Sequence, residues 1–76
     1  MTSNTNLDYI ELNNFLKIKS IVSTGGQAKN LIRSEHVKVN GRVETRNKRK
    51  LHLGDKILVD NVSYIVDDSV TLKTAH

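Results

Sequence analysis

The chain has 76 residues, no cysteine, no proline and a formal net charge of +4. That length supports one small domain with a modest core, and the lack of cysteine excludes disulfides and thiolate metal sites. His36, His52 and His76 are too scattered for paired zinc ligation, no apolar run nears the roughly 20 residues that span a bilayer, and residues 1–6 lack the basic flank and apolar stretch of a secretory signal, so a cytoplasmic location is expected.

In chain order, residues 1–7 read as a flexible N-terminus and residues 8–67 as a single domain. Leu12, Phe15 and Leu16 fall at i, i+3 and i+4, the apolar face of a short helix over about Leu12 to Lys19. Ile21 and Val22 follow as an apolar connector, extended by their β-branching. Thr24 with Gln27 three positions later is a capping box that opens a second helix. Ala28, Leu31 and Ile32 are its buried stripe, and Lys29 and Arg33, at i and i+4, share a different face.

From Val37 the period changes to two. Val37 and Val39 alternate with Lys38, and Asn40-Gly41 marks a two-residue hairpin turn needing positive φ at both positions. Val43 leads the return strand. Leu51, Leu53, Ile57 and Val59 surround a second turn signal, Gly54-Asp55. A last hairpin runs from Lys56 to Asp60, turns near Asn61 and returns through Val62 to Val66. Residues 68–76 read as a C-terminal tail. The fold expected is α+β: two short helices packed on small, twisted antiparallel strands.

The charge is segregated. Residues 25–56 hold nine bases against three acids, whereas the rest of the chain holds three bases against five acids. Such an asymmetry is the electrostatic footprint of a nucleic-acid binder. Four bases crowd into Arg46-Asn47-Lys48-Arg49-Lys50, where they repel one another unless an anion relieves them. Lys29, Arg33, Lys38 and Arg42 extend the basic surface, with arginine able to grip two phosphate oxygens and lysine acting as a point charge. Gly25 and Gly26 open the second helix, whose free N–H groups favour an anion. Two readings stand for these glycines: close approach of a phosphate, or close packing of the helix on its neighbour. No P-loop spacing is present. Tyr9, Phe15 and Tyr64 are a poor stacking platform for single strands, which favours recognition of shape and backbone.

These residues resemble the alpha-L RNA-binding fold, the small domain named after ribosomal small-subunit protein four. The resemblance rests on Leu12, Phe15 and Leu16, on Ala28 with Leu31-Ile32, on Val37-Lys38-Val39-Asn40-Gly41, and on Gly54-Asp55 followed by Ile57. Gly25-Gly26-Gln27-Ala28-Lys29 and the basic run before Leu51 look like its stand-alone, bacterial-type YaaA-like subgroup. Two positions depart from the family pattern: Thr24-Gly25 stands where many members carry Ser-Arg, and Glu35 stands where a glycine usually ends the second helix. The resemblance implies binding of structured RNA, with ribosomal RNA or a ribosome-assembly particle the leading target and tRNA the next. The residues expected to make contact are Thr24, Gly25, Gly26, Gln27, Lys29, Arg33, Lys38, Arg42, Arg46, Lys48, Arg49 and Lys50. No catalysis, cofactor, metal or membrane partner is expected. The other reading is a protein-interaction adaptor whose basic face meets an acidic partner.

Overall fold

A computed structural model describes residues 9–67; the expectations for residues 1–7 and 68–76 lie outside the described residues. The elements run β1 (Ile10–Glu11), α1 (Leu12–Ile18), α2 (Gly25–Arg33), β2 (Val37–Val39), β3 (Arg42–Val43), β4 (Lys50–Leu51), β5 (Lys56–Val59) and β6 (Val62–Ile65). The architecture is the expected small α+β domain. Strands β3-β2-β5-β6 form an antiparallel sheet in that order, and β1 pairs with β4 in a separate two-stranded ribbon.

Local chemistry places each element. In α1, Leu12, Phe15 and Leu16 are buried as their spacing requires. Ala28 and Ile32 are buried on α2, and Leu31 packs half-buried at the core's edge with Ile21 and Val22. The sheet contributes Val37, Val39, Ile57 and Val59, with Ile10, Leu51 and Val66 completing the same cluster. The Phe15 and Tyr64 rings meet edge to face, 6.5 Å between centroids. Leu53 departs from this pattern: it stands exposed as the first central residue of a turn closed by the Asp55 N–H donating to the His52 carbonyl, 3.0 Å. Gly54 follows it at φ +92°, the left-handed position that a type II turn demands.

Asn40 and Gly41 both have positive φ, +52° and +87°, as a type I′ hairpin turn requires. Asp60 and Asn61, at +47° and +73°, make the same turn between β5 and β6. The Asn40 side chain does more. Its Oδ1 accepts from the Lys56 N–H at 3.0 Å and its Nδ2 donates to Asp55 Oδ1 at 3.3 Å. Asp55 Oδ2 in turn accepts from the His52 N–H at 2.9 Å. The Asn-Gly and Gly-Asp signals, fifteen residues apart, are thus two halves of one clasp that sets β2 beside β5.

Both helices end in the same way. Beyond α1, the Ser20 N–H donates to the Lys17 carbonyl and the Ile21 N–H to the Leu16 carbonyl; beyond α2, Glu35 and His36 repeat this to Ile32 and Leu31. These are Schellman ends, whose left-handed residue is usually glycine. Here it is Ser20 at φ +60° and Glu35 at φ +68°. The departure at Glu35 therefore leaves the helix end in place and loads it with backbone strain.

Candidate nucleic-acid interface

The segment between β3 and β4 carries the densest charge. It is fastened to α1 through the backbone: the Leu12 N–H donates to the Arg49 carbonyl at 2.8 Å and the Asn13 N–H to the Asn47 carbonyl at 3.1 Å. Helix α1 has no side-chain cap, so the loop satisfies two of its orphan amides. The pairing of Ile10 with Leu51 and of Glu11 with Lys50 holds the other end.

Inside the loop lies an acid that composition alone did not single out. Glu44 is 7% exposed. Its Oε2 accepts from Arg46 Nε and from the Arg46 backbone N–H, both at 2.9 Å. Its Oε1 accepts from Arg46 Nη2 at 3.2 Å and from Arg49 Nη1 at 2.6 Å. The Arg46 side-chain hydrogen bond is the main reason that the Glu44 carboxyl is lowered from 4.5 to about 2, against the opposing effect of burial. The same contact raises the Arg46 pKa. Crowding of like charge is therefore relieved in part from within, because one carboxylate is shared by two guanidinium groups. The loop and the first residue of β4 still carry four cations against that one anion.

Around this anchor, Arg46, Lys48, Arg49 and Lys50 line an open basin of about 450 Å³. Arg46 is 72% exposed although paired, and Arg49 is 32% exposed. Arg46 gives two of its five side-chain N–H groups to Glu44, so its outer edge remains a donor face. Lys50 Nζ lies over the Tyr9 ring, 5.0 Å from the centroid, a cation–π contact that holds the ammonium in place. Asn47 Oδ1 is buried with no partner among the described residues, an unfavourable arrangement within a conformation held by the surrounding bonds.

The other expected residues are distributed differently. Lys29 and Arg33 are exposed on α2 and are not among the described residues that line the basin. The register separates Lys38 from Arg42: Lys38 pairs with Val43 and Arg42 with Val39, which puts them on opposite faces of the sheet. Lys38 lines a hollow with Glu35, His36 and Asp60, among acids instead of bases.

At the start of α2, Thr24 Oγ1 accepts from the Gln27 N–H at 3.1 Å, as a capping box predicts. The reciprocal bond moves by one residue: Gln27 Oε1 accepts from the Ser23 N–H at 2.7 Å, within reach because Thr24 is extended (φ −132°, ψ 162°). The Thr24 oxygen and the Gln27 Oε1 thus build the helix start. Of the two readings for Gly25 and Gly26, packing fails. Among the described residues, a Cβ at Gly25 would meet nothing within 4 Å, and at Gly26 only Thr24 Oγ1 at 3.9 Å.

Among the described residues, no cluster of His, Cys, Asp or Glu could hold a metal ion, and no helix is long and apolar enough to cross a membrane.

Two helices on antiparallel sheets, with a cationic loop joining β3 to β4, make an S4-type arrangement. The family profile described as S4 domain matches residues 3–67, and the chain belongs to that family. It is also similar to the probable ribosome maturation protein RlbA of Bacillus subtilis (strain 168). The two are 34% identical over 53 residues, which cover 70% of this chain and 75% of that protein.

Proposed function

We propose that the chain binds structured RNA, acting without catalysis as a single domain over residues 8–67, and that its target is ribosomal RNA or a ribosome-assembly particle in the cytoplasm. The observation that carries this reading is the basin of Arg46, Lys48, Arg49 and Lys50, anchored from below by Glu44. Family membership supports RNA as the ligand, and the similarity to a ribosome maturation protein supports the ribosomal target. The basin captures backbone phosphates electrostatically, releasing counterions as it does so. The amides of Gly25 and Gly26 seat a further phosphate at the start of α2, with Thr24 and Gln27 shaping that start. Lys29, Arg33 and Arg42 add flanking contacts, and Lys38 adds only to the general field. Among the described residues no aromatic ring lines the basin itself, which fits a folded RNA read by its backbone better than a single strand read by stacking.

The test is crosslinking in cells with sequencing of the bound RNA, run beside a variant with Arg46, Lys48, Arg49 and Lys50 changed to Ala. Enrichment at a defined ribosomal RNA site, lost in the folded variant, is expected. Enrichment at tRNA would redirect the target. Enrichment indifferent to the four changes would overturn the site and move the acidic-partner adaptor to the front.

A further inference from the structure

We infer that Glu44 is the positioning residue of the basic basin, an acid whose removal weakens RNA binding even though it makes the site more positive. The inference rests on the RNA reading of the loop and adds to it the group that sets the geometry.

Charge alone predicts the opposite sign. A carboxylate beside a phosphate site repels the ligand. Deleting one charge about 6 Å away in a water-like dielectric should tighten binding by roughly threefold, less at physiological salt. The bonding argues otherwise. Glu44 receives two bonds from the Arg46 side chain, one from the Arg46 backbone and one from Arg49. The carboxylate is almost fully buried, whereas the outer edge of Arg46 is open. A long, rotamer-rich arginine without that fork must be ordered again each time a phosphate binds. With the fork, the guanidinium is fixed by one edge while its other N–H groups face the basin. Charge-assisted, two-point pairing is the strong and directional kind. Glu44 itself is fixed, because its backbone N–H donates to the Val37 carbonyl at 2.9 Å where β2 begins. Positioning therefore runs from the four-stranded sheet, through one carboxylate, to two arginines.

The experiment measures binding of a fluorescent RNA hairpin by anisotropy across a salt series, for the full chain and five variants. Glu44→Gln keeps the shape and one acceptor oxygen but loses the charged fork. Arg46→Lys keeps the charge and loses the fork from the other side. The Glu44→Gln/Arg46→Lys double variant closes the cycle, and Glu44→Asp and the fourfold alanine variant complete the set. Glu44→Gln is expected to weaken binding by about five- to tenfold with the slope against salt little changed, since the number of phosphates contacted stays the same. Arg46→Lys should weaken it comparably, and the double variant should be hardly worse than either single change. Glu44→Asp should recover part of the loss. Unchanged or tighter binding by Glu44→Gln would overturn the inference, as would additive losses in the double variant. If Glu44→Gln fails to fold, Arg46→Lys decides: unchanged binding there sinks the positioning role. Full binding by the fourfold variant would instead sink the RNA reading of the loop, so the two failures are distinguishable.

Discussion

The left-handed residue that ends α2 gives the sharpest stability prediction. Glu35 holds φ at +68° while its N–H and that of His36 close the helix on the Ile32 and Leu31 carbonyls. A residue with a Cβ costs about 1–2 kcal/mol in this conformation. Glycine removes that cost but gives back about 0.5–1 kcal/mol through the greater freedom of its unfolded chain. Glu35→Gly should therefore stabilise the domain by about 1 kcal/mol. In a domain this small, that raises Tm by about 4–8 °C. Thermal and urea unfolding followed by circular dichroism are the assays, with Glu35→Val as the opposite control. A β-branched residue tolerates positive φ worst, so valine should destabilise relative to glutamate. The ranking Gly above Glu above Val is the signature of backbone strain. A neutral or destabilising glycine would show that the Glu35 side chain contributes contacts outweighing its strain, and the reasoning would fail.

Acid titration is a second check. The Glu44 carboxyl is lowered from 4.5 to about 2 in the folded chain. A depressed folded value stabilises the protein above the unfolded value, and that stability is lost as pH falls from about 4.5 towards 2. The loss should be on the order of 1–2 kcal/mol, discounted because Arg46 is solvent-exposed, and Glu44→Gln should flatten that part of the profile; an unchanged profile would contradict the fork. At the other candidate seat, changing Gly25 and Gly26 to Ala should raise stability by roughly 0.5 kcal/mol each through helix propensity, since the added Cβ atoms meet open space or ordinary contact. RNA affinity should drop several-fold in the same protein, and unchanged affinity would remove this helix start from the interface.

Much of the architecture was legible because it is encoded locally. Helix spacing at Leu12, Phe15 and Leu16, the cap at Thr24 and the Asn40-Gly41 turn each follow from a few neighbouring residues. The pairing of β1 with β4 was not legible: two-residue strands leave no period to read, and their register depends on a loop forty residues away in the chain. The candidate site divides along the same line. The cationic run was evident as composition. Glu44 was not, because an isolated glutamate between a strand and a basic loop looks like ordinary surface. A signal was present all the same: Glu44 is the nearest acid to the four crowded bases, and a cluster of that kind calls for an internal counter-charge. The opposite orientations of Lys38 and Arg42 follow from the register that the two-residue Asn40-Gly41 turn sets, so that signal too was present.

The bonds that fasten the basic loop to α1 run through carbonyls at Arg49 and Asn47, not through side chains. Any amino acid other than one that distorts the backbone presents the same carbonyl. The first turn of the helix is therefore indifferent to what positions 47 and 49 spell. Such a joint lets the loop's chemistry be rewritten across relatives, arginine for lysine or polar for basic, while the helix keeps its partners. The domain's framework and the chemistry of this loop can drift at separate rates. Glu44, whose partners include the Arg46 and Arg49 side chains, is the point where that independence stops.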